Sequence, residues 1–263
     1  FSSVLVLSYN LNVFGVALGT LLASYITLII FTFFSYNFII KKFKIIPRFE
    51  KLIVKSKILK LLNINLDIFI RTLFLTFSFL WVTYQGSKLG EDYLAVNTIL
   101  MQFIILAAFF LDAFAFSTEG IVGYSIGKRN KKSFFQVVKN SIQLSFVTAL
   151  IISILYMIFF KDIINIITDI EFLRFISYQH FIWIIIIPPI ASFCYQLDGI
   201  FIGASQTKEI RNAMIISVFI FMFASNQLTN YFDNHGLWFS LMIFMILRAL
   251  TLRFYFNKIL RKF

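Results

Sequence analysis

Charge is scarce in this chain of 263 residues: Asp, Glu, Lys and Arg together make 14%, where soluble domains carry about a quarter. Cysteine occurs once, as Cys194, which excludes an internal disulfide framework and a multi-cysteine zinc site. The two histidines, His180 and His235, stand outside any HExxH pattern, so no metal and no cofactor are expected. A GxxxxGK[ST] phosphate loop is missing, and the chain does not read as an enzyme. The opening FSSVLVLSYNLNVF lacks the basic start and cleavage site of a signal peptide, and the chain reads as beginning part-way through a longer protein.

Apolar residues, in contrast, make 60%, and the mean hydropathy is +0.87. That composition belongs in a bilayer, and at about 20 residues per span the length leaves room for roughly six to eight helices. Apolar runs bounded by charges give seven, at about 15–40, 66–85, 93–118, 141–160, 175–203, 213–231 and 236–257. Lipid offers no partners to backbone groups, and these runs are too long and uniform for barrel strands, so the expected fold class is an all-α integral membrane protein. The 19% of aromatic residues, mostly Phe, chiefly fill the core and face lipid, although Phe-rich cavities also suit aromatic cations.

In a soluble protein the net charge of +12 would raise nucleic acid as a partner, but here the loops explain it. Connections that alternate along the chain place 18 basic and two acidic residues on one side, and three basic and six acidic on the other. By the positive-inside rule the basic side, with the C-terminus, is cytoplasmic, which places a multi-pass protein in the cell membrane with no nucleic-acid role. The longest basic stretch, 41–65, has Pro47 and amphipathic spacing through Phe49, Leu52, Ile53, Ile58, Leu59 and Leu62, the pattern of a helix lying on the anionic inner leaflet. It divides the chain into 1–40, one span, and 66–263, six spans. Transporters are often built from two repeats of equal span number, so one plus six reads as the last helix of a first repeat followed by a whole second repeat.

Ionisable residues inside spans are costly and default to functional candidates. Asp112 lies within the third span, and Glu119, two turns on, shares its face near the cytoplasmic end. Asn97 and Gln102 add polar groups earlier in the same helix. Asp198 follows Pro188 and Pro189 in the fifth span, where the missing backbone donors are expected to kink the helix and free carbonyls to line a cavity. Asp67 and Arg71, one turn apart at the start of the second span, read as an acid at a helix N-terminus paired with its own arginine. Arg248 lies deep in the last span, while Arg253 can snorkel to the interface. All of these fall in the cytoplasmic half, so three arginines and the acids are expected to meet in one network, either a structural tie or a titratable switch.

The stretches GVALGT from Gly15, NLDIFIRT from Asn65, LAVNTILMQF from Leu94, LDAFAFSTEGIVGYSIGKRN from Leu111, QLDGIFIGASQTKEIRNAM from Gln196 and NHGLW from Asn234 occur together and in order. With them the chain resembles the multidrug and toxic compound extrusion (MATE) transporters, in particular their DinF-like branch. The resemblance implies twelve helices in two six-helix lobes about a central cavity, with alternating access driven by protons or sodium. It puts Asp112 and Asp198 at acidic motif positions and Arg71 in an RT motif, with Ala113 where the family commonly has Gly. It implies the C-terminal part of a cation-coupled antiporter exporting drugs, organic cations or metabolites, with the bilayer, a small-molecule solute and H⁺ or Na⁺ as partners. Two alternatives stay open: a lipid-linked saccharide flippase of the same superfamily, and a non-transporting scaffold or decayed fragment.

Overall fold

A computed structural model of the chain describes residues 12–43 and 54–263, with side chains at 13–38 and 54–263. Pro47, Phe49, Leu52 and Ile53 of the expected linker, and the segment before Asn12, lie outside the described residues. The chain divides into two compact units, 1–59 and 60–263. In the first, α1 (Asn12–Phe43) is apolar on every side. Its hydroxyls close on their own helix: Thr20 donates to the Val16 carbonyl, Ser24 to Thr20 and Thr27 to Ala23, which leaves none of the three facing lipid unpaired.

The second unit is built from α2 (Lys55–Leu89) from Lys60 onward, α3 (Glu91–Gly127), α4 (Lys131–Ile167), α5 (Glu171–Gly203) and a last helical run, Thr207–Leu260. That run is not one rod. At Phe232 and Asp233 the backbone leaves helical geometry, with Asp233 at φ 47°, and it divides into α6 (207–231) and α7 (234–260). Lys258 Nζ on α7 donates to Glu209 Oε1 on α6 at 3.0 Å, whereas a straight helix would hold them about 70 Å apart. Gly236 makes the reversal tight, since a Cβ there would collide with the backbone of Leu228 and Thr229. Six helical runs among the described residues are long and apolar enough to cross a membrane, and the doubled last one supplies the seventh span.

The helices overrun the apolar stretches that announce them. α3 has 37 residues, about 55 Å, against a hydrocarbon core of about 30 Å, so its ends stand beyond the lipid and carry the charges that mark span boundaries in the sequence. Likewise 55–65, read as the end of the linker, is the first three turns of α2. α5 is central, packing on α3, α4 and the last helical run. Its prolines do not open it: Pro189 has no N–H for the Ile185 carbonyl one turn back, and Ser153 of α4 supplies the donor at 2.7 Å. The carbonyl expected to line a cavity thus ties α5 to α4 instead.

Candidate functional site

Asp198 on α5 is 4% exposed and receives two guanidinium groups on one oxygen: Arg71 Nη2 of α2 at 2.5 Å and Arg248 Nη2 of α7 at 2.6 Å, both to Oδ2. Three helices from distant parts of the chain are thereby held at one carboxylate. Arg248 is 1% exposed, lies over the rings of Phe244 and Tyr195 at 5.4 and 5.7 Å, and contacts the Met245 sulfur at 3.6 Å. Such a guanidinium can be buried because its charge is matched by Asp198 and its flat faces rest on aromatic rings. The second oxygen of Asp198, and Nε of both arginines, have no hydrogen-bond partner.

Beside this cluster is a cavity of about 240 Å³ between α2, α3 and α5, whose polar lining is Arg71, Asp112, Glu119, Tyr195 and Asp198. Its shape depends on two glycines of α5. A Cβ on Gly199 would stand 2.5 Å from the Ala115 carbonyl oxygen of α3, and one on Gly203 would collide with the Glu119 carbonyl. Glycine at both positions lets α3 lie directly against α5, and that close approach carries Asp112 and Glu119 onto the wall next to Asp198. Neither the Asp112 nor the Glu119 side chain has a hydrogen bond or ion pair among the described residues. With every group ionised, three carboxylates and two guanidinium groups leave the site net negative. Chemically it can attract a cation and exchange protons at two unpaired acids.

The sequence profile of the MatE family matches residues 68–232, more than half of the chain. The chain belongs to the MatE family. It is 34% identical over 248 residues to the DNA damage-inducible protein F of Escherichia coli (strain K12), a match covering 94% of this chain and 54% of that protein. A MATE structure in the straight conformation superposes with a TM-score of 0.87 at 15% identity, over 98% of this chain and 60% of that one. The Vibrio cholerae MATE transporter VcmN in its bent form superposes at 0.82 and 14% identity, over 99% and 59%. The chain spans about half the length of the curated relatives it matches.

Within this MatE chain the expected single network divides in two. Asp67 does not pair with Arg71 and does not open a helix, because α2 begins twelve residues earlier at Lys55. Its carboxylate instead takes Arg211 Nη1 of α6 at 2.6 Å and the Thr207 hydroxyl at 3.0 Å, which frees Arg71 for Asp198. Arg253 takes no part, its guanidinium lying 5.5 Å over the Phe256 ring. Below Arg211, Lys258 reaches Glu209, and Lys262 donates to the Ala204 carbonyl. Burial, and then the like charge of Lys60, pull the Lys262 ammonium below the usual lysine range.

Asn97 and Gln102 line a different cavity, about 210 Å³, between α2 and α3, in which Asp112 has no part. Asn97 is buried there, donating to Asn234 Oδ1 at 2.7 Å and accepting from Trp238 Nε1 at 2.8 Å, so its polar ends fasten the α6–α7 turn to α3. Sequence reasoning missed Arg211, counted only as one more basic loop residue. No sequence signal marked it, because Asp67 stands at the start of its apolar run and its depth in the helix shows only once α2 is seen to begin at Lys55.

Proposed function

We propose that this chain is the C-terminal part of a secondary active antiporter, in which inward flow of protons or sodium drives export of an organic cation or metabolite. The observation that carries the reading is the pair of unpaired carboxylates, Asp112 and Glu119, on the wall of a cavity whose third acid, Asp198, is neutralised by two arginines. Asp198, Arg71 and Arg248 hold the wall together. Asp112 and Glu119 are the groups left to bind a cation or take a proton, and exchange of one for the other at the same carboxylates couples the two flows. The whole protein would place a second lobe over this cavity. The excess of lysine and arginine at the end carrying the C-terminus supports a cytoplasmic position for that end.

A flippase for lipid-linked saccharides would need a basic cradle for its phosphates, and the net negative cavity favours the antiport reading. The test is Asp112→Asn in the full-length protein containing this chain, reconstituted in vesicles. The expected result is loss of efflux driven by a pH or sodium gradient, with unchanged expression and thermal unfolding. Efflux at the unmodified rate overturns the assignment.

A further inference from the structure

At the end of the second unit opposite the arginine cluster, His180 of α5 and His235 of the α6–α7 turn stack with ring centres 4.3 Å apart and planes 19° from parallel. Their hydrogen bonds fix the tautomer of each ring. Trp183 Nε1, which can only donate, gives its hydrogen to His235 Nδ1 at 3.0 Å, so that nitrogen carries a lone pair. His180 Nδ1 stands 2.8 Å from the Ile176 carbonyl, which can only accept, so the proton of His180 is on Nδ1. The remaining nitrogen, His180 Nε2, is buried without a partner. The bond from Trp183 requires His235 to be neutral, and an added proton on His180 Nε2 would have no acceptor.

We propose that His235, His180 and Trp183 form a proton-operated latch that fastens the α6–α7 turn to α5 and lets go when His235 is protonated. His235 is exposed and takes the proton from solvent. A proton on Nδ1 meets the indole N–H donor to donor, and the new positive charge faces His180, which has no acceptor with which to rearrange. None of the ion pairs among the described residues includes either imidazole. From α3 the titratable group facing the pair is Tyr93, edge-on to His180 at 6.1 Å, while Glu91 and Asp92 sit at that helix's start. At this end of α4 stand Lys161, which lies over Tyr178, and Asp162; at this end of α5 stand Glu171 and Arg174, the latter engaged with Asp169; and the turn itself carries Asp233.

The test uses the full-length protein in lipid nanodiscs, with any cysteine outside this chain replaced by serine and spin labels on cysteines replacing the exposed Phe175 and Tyr231; Cys194 is buried and does not label. Lowering the pH from about 8 to about 5 spans the imidazole titration. The distance distribution is expected to be narrow at the upper value and to lengthen or broaden by more than about 2 Å at the lower. His235→Gln, which keeps an acceptor for Trp183 but no titration, stays narrow at both. Trp183→Phe, which removes the bond, is broad at both. An unchanged distribution in the parent, an equal acid response in His235→Gln, or parent-like behaviour of Trp183→Phe each overturns the latch.

Discussion

Two guanidinium groups converge on Asp198, and removing that carboxylate leaves them in unequal positions. The Arg71 side chain is 19% exposed and can turn into the cavity, whereas Arg248 is enclosed by Phe244, Tyr195 and Met245. Asp198→Asn therefore strands a buried cation, and loss of about 3–5 kcal/mol of stability is expected, read as a lowered unfolding midpoint of the purified protein. Arg71→Gln is expected to lose much less, because solvent screens that partner. The depth of Arg248 in its span was legible in the sequence, since a charge about twelve residues into an apolar run needs a partner. Which partner it takes was not. Asp67 and Arg211 are separated by 144 residues, and helix rotation decides whether Asp67 faces α6 or its own next turn. Period and spacing carry no information on that rotation when a helix is apolar nearly all round.

Among the elements, α3 and α5 depend most on single residues. Gly199 and Gly203 lie four apart on α5 and meet carbonyls four apart on α3, so any side chain at either position forces the two helices apart along the line that carries Asp112 and Glu119. Gly199→Val is expected to cost at least about 2 kcal/mol and to widen the cavity, whereas Gly120→Ala, which meets nothing within 4 Å, is expected to be neutral or to stabilise by roughly 0.5–1 kcal/mol. Thermal unfolding of the two variants side by side checks the contrast. In the sequence both glycines are simply small residues in a span. Proline showed the opposite limitation: its missing donor was foreseen at Pro189, but a hydroxyl on another helix, Ser153, satisfied the carbonyl it released. Number and order of the spans were readable because lipid dictates them. Contacts between spans depend on side-chain shape, which hydropathy does not encode.

At the scale of the whole molecule the firmest regularity is electrical. Basic residues gather where α3 meets α4, where α5 meets α6 and at the C-terminus, while Glu91, Asp92, Asp162, Asp169, Glu171 and Asp233 mark the opposite end. The hairpin of α6 and α7 is consistent with this alternation, since without the reversal at Asp233 the C-terminal Lys258, Arg261 and Lys262 would emerge on the acidic side. Orientation in the membrane then follows from which end faces the cytoplasm, and the single cysteine makes that measurable. Cys194 is fully buried, so this chain is expected to be silent to a membrane-impermeant maleimide. Asp169→Cys, at an exposed position between α4 and α5, is expected to label in intact cells. Lys132→Cys, exposed at the start of α4, is expected to label only after the membrane is opened. The reverse pattern would place the basic end outside and remove the electrostatic ground for a cytoplasmic C-terminus. Labelling of both in intact cells would show that α4 does not cross the bilayer, and with it the alternation of the loops would lose its meaning.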